Sequence, residues 1–338
     1  MLQPALQKLL DGESLGEAEA EQVMGCIMAG KAAEAQIGAL LVLLRQRGET
    51  AAEIVGFARA MRAAALRVAP PPGVVLDTCG TGGDGVGTFN ISTLAALVAA
   101  AAGLTVAKHG NRSASGRVGS ADLLEALGLR LDLPLAAVED CLGRTGFAFL
   151  FAPSHHPAMR HAAGPRHALG VRTIFNLLGP LTNPAGATHQ LLGLYDGALA
   201  PTLAEVLHRL GGERALVVHG HDGMDEISPT GPTAVLEQRG TTRARHTWQP
   251  EDFGLPRHPL AALQVGTLAE HVARARAVLE GEAGPCLDAV ALNAGAALYL
   301  GGAVRDPGSG VQAARRLLQE GAVRRKLEEI VLFGRTVP

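Results

Sequence analysis

The chain has 338 residues, 47% hydrophobic but only 3% aromatic, so a sizeable core must be built mainly from Ala, Leu and Val. A formal net charge of −2 argues against general nucleic-acid binding, and the opening residues are acidic where a secretory signal needs a long apolar core. Apolar runs such as 94–102 are too short and Ala-rich to span a bilayer, and the four scattered cysteines form no Cys-x-x-Cys pair, which disfavours structural zinc and suits a reducing cytoplasm.

The first 67 residues read as helices. Ser14-Leu-Gly-Glu17 and Thr50-Ala-Ala-Glu53 each fit a capping box, in which a hydroxyl and a carboxylate satisfy the orphan N–H groups of a helix start. Between them, 33–45 places Ile37, Leu40, Leu41 and Leu44 at helical spacing. Helices this short cannot bury such a face alone, so they must pack on each other, on the rest of the chain or on a second copy. The run Ala69-Pro-Pro-Pro-Gly73 marks a domain crossing. It separates a helical domain, 1–68, from an α/β domain, 74–338.

Beyond it the texture changes. Strands are expected over 74–79, 104–108, 147–151, 190–195 and 215–219, with helices over 91–102, 122–127 and 199–210. This alternation predicts an α/β fold with a largely parallel sheet. The stretches 268–280, 287–300 and 311–332 then read as helical.

Four constellations carry chemistry. The first, Asp77-Thr-Cys-Gly80-Thr-Gly82-Gly83-Asp84-Gly85-Val-Gly87-Thr88, follows a strand and runs into Asn90-Ile91-Ser92-Thr93 at a helix start. Glycines let the backbone approach a ligand and offer its N–H groups, and a helix N-terminus favours phosphate. No Gly-Lys-Ser/Thr follows, which excludes a nucleotide P-loop. The second is Lys108-His109-Gly110-Asn111-Arg112-Ser113-Ala114-Ser115-Gly116 with Gly119-Ser120-Ala-Asp122, where Ser120 or Asp122 could equally be helix caps. Lysines number 4 against 26 arginines, so Lys108 is a rare compact cation in a polar motif. The third, His219-Gly-His221-Asp222-Gly223-Met224-Asp225-Glu226, offers adjacent carboxylates of the kind Mg²⁺ accepts when substrate phosphates complete its shell. The fourth runs from Phe151 through His155, His156 and Arg160 to Arg166, a residue able to grip a carboxylate with two parallel hydrogen bonds. The following run, Arg172 to Pro184, reads as structural.

Together these segments resemble the anthranilate phosphoribosyltransferase family. The matches are Asp77-x-x-GTGGD, NIST, KHGNRS, GSADLLEALG, HPAM, RTIFNLLGPLTNPAG and DGMDE, in the family's order and spacing from Asp77 to Glu226. The resemblance implies a helical domain that includes part of 165–185, a larger α/β domain of the nucleoside phosphorylase/phosphoribosyltransferase kind, and homodimers formed through the helical domain. It implies transfer of the phosphoribosyl group of phosphoribosyl pyrophosphate (PRPP) to the amine of anthranilate, with two Mg²⁺ ions. Its substrate pocket would take in Gly80, Gly83, Asp84, Thr88, Asn90, Ile91, Ser92, Thr93, Lys108, His109, Gly110, Asn111, Arg112, Ser113, Ala114, Ser115, Gly116, Ser120, His156 and Arg166. Metal would fall to Ser92, Asp225 and Glu226. Arg166, Lys108, Asn111 and His109 would act most directly on the reaction. At Gly116 the family commonly has a hydroxyl, so a side-chain contact is missing there.

The expected chemistry is attack of the neutral aromatic amine on C1 of the ribose while pyrophosphate leaves, with Lys108, Mg²⁺ and loop N–H groups stabilising the departing charge. No general base stands out. A phosphate-dependent nucleoside phosphorylase is the nearest rival, and the acidic pair with the KHGNR motif favours PRPP. A nucleic-acid-binding relative would need a basic surface and an eroded acidic pair, and this sequence has neither.

Overall fold

The computed structural model describes residues 2–112 and 118–338, so Ser113, Ala114, Ser115 and Gly116 lie outside the described residues. Four helices open the chain: α1 (Leu2–Leu10), α2 (Glu17–Met28), α3 (Glu34–Arg47) and α4 (Ala51–Ala63). α3 buries Ile37, Leu40, Leu41 and Leu44, the residues whose spacing announced it. α4 has the expected box: the Thr50 hydroxyl accepts from the Glu53 N–H at 3.3 Å, and the Glu53 carboxylate takes the Thr50 N–H at 2.8 Å.

The box expected at Ser14 is corrected. α2 is capped at Gly16, whose N–H goes to Glu19 rather than Glu17. Ser14 accepts instead from Arg47, which pairs with the buried Glu53; that carboxylate also takes the Leu15 N–H. A buried ion pair with several satisfied partners outweighs one cap hydrogen bond.

A seven-stranded sheet follows, in the order β3-β2-β1-β4-β5-β6-β7. The strands are β1 (Val75–Gly80), β2 (Thr105–Gly110), β3 (Phe147–Phe151), β4 (His189–Gly193), β5 (Arg214–Gly220), β6 (Thr233–Arg239) and β7 (Thr242–Trp248). β1 to β5 pair in parallel and β5-β6-β7 antiparallel. The first five strands match expectation to within two residues at each end. The β6-β7 hairpin was not anticipated, because β7 is Thr-Arg-Ala-Arg-His-Thr-Trp and exposed at almost every position. An edge strand of this kind trades apolar alternation for charge, which blocks pairing with other chains.

Side chains alternate between two cores. Leu76, Leu191, Leu216 and Val218 face α5 (Ile91–Ala101) and the long helix Pro285–Leu300. On the other face Leu192, Ala215 and Val217 join the apolar cluster of α1–α4, together with Ala162, Ile174, Phe175, Leu177 and Leu178. The helical layer is therefore seated on β4 and β5 rather than tethered beside them. At the C-terminus the expected 311–332 helix is two, Pro307–Gln319 and Ala322–Thr336, separated by Gly321 with φ of 67°.

Chain order reverses at β1, which lies between β2 and β4. In open α/β sheets such a reversal leaves a crevice at the carboxyl ends of the strands, where ligands bind. β1, β2, β4 and β5 all end in glycine: Gly80, Gly110, Gly193 and Gly220.

Candidate active site

The glycine ends have a geometric reason. The segment 224–226, from the loop after β5, lies across the ends of β1 and β4. A Cβ on Gly193 would sit 1.6 Å from the Asp225 carbonyl oxygen, and one on Gly80 would sit 2.1 Å from its carboxylate. Asp225 Oδ2 accepts the Gly82 N–H at 2.7 Å, and Glu226 Oε1 accepts the Ser92 N–H at 3.0 Å. The acidic pair, the glycine loop and the start of α5 thus meet at one point. Both carboxyls are raised well above the usual carboxylate range by burial, with repulsion from Asp84 on Asp225 and from Asp225 on Glu226.

Buried, mutually repelling carboxylates of this kind suit a hard divalent cation, which would relieve that repulsion. Among the described residues, no three His, Cys, Asp or Glu side chains close on one metal position. A cation bound here would need further oxygens, of the kind that the nearby Ser92 hydroxyl and a phosphate-bearing substrate would supply.

Lys108 lies beneath, 2% exposed, with its ammonium donating to the Thr78 carbonyl at 2.5 Å and standing 3.5 Å from the Ser92 hydroxyl. It is the cation facing Glu226 and Asp77. Burial pushes the Asp77 carboxyl up to about 6, with Lys108 and Asn183 opposing the rise. Asp77 holds the end of β2 by accepting the His109 N–H at 3.3 Å, and takes Asn183 Nδ2 at 2.8 Å. At the start of α5 the Thr93 hydroxyl is 1% exposed and has no partner among the described residues. An orphaned buried donor at a helix N-terminus is what a phosphate oxygen satisfies.

A second focus lies at the end of β2. The His109 and His156 rings stand 5.1 Å apart, and Nε2 of each is buried without a partner among the described residues. His109 Nδ1 donates to the Gly179 carbonyl at 3.2 Å, which fixes the tautomer and leaves Nε2 as a bare acceptor. Burial, with His156 adding to it for His109 and His155 adding to it for His156, holds His109 down to about 3 and His156 down to about 4. Both rings are neutral at pH 7. Arg166, on the helix Arg160–Leu169, lies 4.9 Å above the Phe175 ring, and among the described residues nothing accepts a hydrogen bond from it. Burial lowers its pKa from the usual arginine value.

Other named residues are placed differently. The Ile91 side chain is in the main core, and its N–H goes to the Phe89 carbonyl. Asn90 ties the loop to the Val118 carbonyl and to His271. Arg112 pairs on the surface with Asp122 and Glu125 at 2.8 Å. Asp122 also takes the Gly119 N–H and so caps its helix, one of the alternatives left open above. Ser120 donates to the Asn111 carbonyl. Thr88 forms an isolated bridge with Gln264, which braces the glycine loop from outside.

Several positioning residues went unnoticed in the sequence. Asp222 is a loop knot, accepting the hydroxyls of Ser228 and Thr230 at 2.6 Å each. Asn293 clamps Ile227, next to Glu226, through both its N–H and its carbonyl at 2.9 Å. A lone Asn inside the apolar run Ala289–Leu300 was the available signal. Asn183 ties Asp77 to the Ala107 carbonyl, and Arg172 rests against the glycine loop. Both belong to the run read as structural.

Family models match over almost the whole chain: a glycosyl transferase family helical bundle domain over residues 3–65 and that family's α/β domain over 72–324. Anthranilate phosphoribosyltransferase of Moorella thermoacetica is 53% identical over 334 residues, covering 98% of each chain. The crystal structure of anthranilate phosphoribosyltransferase from Thermus thermophilus superposes with a TM-score of 0.93 at 50% identity, covering 98% of this chain and 99% of that one. The Saccharomyces cerevisiae enzyme in complex with PRPP and Mg is 28% identical with a TM-score of 0.91, covering 99% of this chain and 98% of its own, and it is also solved with 4-fluoroanthranilate.

Proposed function

The chain belongs to the anthranilate phosphoribosyltransferase family, and from that premise we propose how its residues divide the reaction. It transfers the phosphoribosyl group of PRPP to the amine of anthranilate, giving N-(5-phosphoribosyl)anthranilate and pyrophosphate, a step of tryptophan biosynthesis. Mg²⁺ serves the reaction, neutralising the pyrophosphate when bound.

PRPP lies along the glycine loop from Gly80 and Gly83 to Thr88, with its phosphates on the start of α5 at Ser92 and Thr93. Lys108 faces the departing pyrophosphate. Ser92, Asp225 and Glu226 hold two Mg²⁺ ions, with Asp84 beside them as a further carboxylate; the mutual repulsion of these acids supports a cation at this point. The observation that carries this reading is the threading of 224–226 over the glycine ends of β1 and β4, which brings acid pair, loop and helix start together.

Arg166 grips the anthranilate carboxylate, and Asn111, His109 and His156 line the acceptor side. The amine forms its bond to C1 as the bond from C1 to pyrophosphate breaks, and the amine proton passes to solvent. His109 acts as a hydrogen-bond acceptor, because an imidazole held near 3 does not keep a proton at pH 7.

The helical domain spans 1–68 and takes in part of 165–185; the shared apolar cluster of α1–α4 with Ile174, Phe175 and Leu177 supports this grouping. Exposed Leu10 and Val42 on α1 and α3 support a homodimer through that domain. Four free thiols support a cytoplasmic setting. Anthranilate fluorescence, followed on adding PRPP and Mg²⁺, tests the site. The double variant Asp225→Ala/Glu226→Ala is expected to lose at least about 100-fold in rate, the scale of a displaced charge-stabilising group. Wild-type turnover in that variant would refute the assignment.

A further inference from the structure

Arg172 follows the helix Arg160–Leu169 and lies in none of the roles assigned above. Its guanidinium carbon stands 4.2 Å over the Tyr195 ring. A Cβ on Gly83 would meet the same guanidinium at 3.2 Å, so the absence of a side chain there is what admits it. Tyr195 is itself bound into the site, since its N–H goes to the Thr81 hydroxyl and the Thr81 N–H goes to the Gly193 carbonyl. The platform, the exposed guanidinium and the glycine loop therefore lie together at the ends of β1 and β4. Among the described residues no carboxylate or carbonyl accepts from Arg172, although Asp84 belongs to the same loop. Its planar set of donors lies exposed beside the glycine loop, with no protein acceptor among the described residues.

Arg166 over Phe175 and Arg172 over Tyr195 each lie against a ring, and among the described residues neither has a hydrogen-bonded partner. They sit at different parts of the site: Arg166 contacts a phenyl ring of the helical layer, and Arg172 contacts the phosphate-binding loop. We propose that Arg172 binds the pyrophosphate group of PRPP directly, as a planar two-pronged contact that Lys108 cannot supply, and holds it after C1 has been released. This rests on the glycine loop being the pyrophosphate pocket. Stacking fixes the fork in advance, so little rotamer freedom is lost on binding.

The test is calorimetric titration of Mg-pyrophosphate into the wild type, Arg172→Ala, Arg172→Lys and Tyr195→Ala, with kinetics for both substrates. Arg172→Ala is expected to weaken pyrophosphate binding and raise the PRPP KM by about 10- to 100-fold, the range for a lost hydrogen bond to a charged group. Arg172→Lys should recover only part, because an ammonium keeps charge without the fork. Tyr195→Ala removes the platform and should weaken pyrophosphate binding too, by less than Arg172→Ala does. The anthranilate KM and the melting temperature should stay unchanged, while Arg166→Ala should show the reverse split. Equal pyrophosphate affinity in Arg172→Ala, or a change confined to the anthranilate KM, would overturn the assignment of Arg172 while leaving the pocket standing. A wild type that fails to bind Mg-pyrophosphate would overturn the pocket and Arg172 together. A fall in melting temperature with an equal rise in both KM values would make Arg172 a packing residue, and the proposal would be wrong.

Discussion

At 8% and 6% exposed, His109 and His156 are stripped of water, with His155 and Lys108 adding positive neighbours that further disfavour protonation of His109. Their folded pKa values, about 3 and about 4, lie below the ordinary histidine value of 6.5. The unfolded chain therefore binds more protons between those limits. The stability these rings contribute is present above pH 6.5 and is lost as pH falls toward the folded values. Between pH 6.5 and 5 each ring costs about 2 kcal/mol, or about 3 °C of melting temperature in a chain of this size. Melting curves of the wild type and of His109→Asn/His156→Asn over pH 5 to 7 check this. The double variant should lose about 6 °C less across that span. Parallel slopes for the two proteins would show that other groups set the acid limit.

At the scale of the element, the controlling contact is the loop after β5 against the end of β4. Gly193→Ala would drive a methyl into the Asp225 carbonyl, and backbone there has no rotamer to swing aside. We expect Mg²⁺-dependent turnover to fall at least about 100-fold, as for any displaced transition-state contact. Gly143→Ala, on the helix Leu135–Thr145 with open space around it, should be neutral or stabilising by up to about 1 kcal/mol. Wild-type magnesium dependence in Gly193→Ala would show that 224–226 can relocate. The glycines of the β1 loop were legible because their density is local. Gly193 and Gly220 were not, since their need arises from how 220–228 folds back over the strand ends. The five parallel strands could be read from short apolar runs, whereas β7 could not, because its pairing partner and not its composition makes it a strand. Arg166 and the acidic pair were legible through residue type and family pattern. Arg172 was passed over because its neighbours Ile174 and Phe175 are core residues and its ring partner, Tyr195, is distant in sequence. Asn293 and Asn183 belong to the same class: each is positioned for a contact with a remote stretch.

Across the whole molecule, the cluster that buries α1–α4 also buries Leu192, Ala215, Val217 and the helix Ala200–Arg209. Arg62 reinforces that junction, donating from α4 to the Leu181 carbonyl at 2.7 Å and the Leu210 carbonyl at 2.8 Å. Glu17 adds ion pairs to Arg59 and Arg209. The halves share an interior, so neither is independent. Residues 74–338 expressed alone should aggregate, because removing the helical layer bares one face of β4 and β5. A soluble, cooperatively melting 74–338 fragment would contradict this.

The glycine rim has a further consequence for anyone wishing to change the acceptor. Four strand ends are covered by the protein's own neighbouring segments, so a side chain there displaces Asp225, Ser120 or Asp222 rather than creating a new contact. Sequence space for a new amine is consequently one-sided. Libraries should vary the helical wall around His156, Arg166 and Phe175, and leave the sheet side alone.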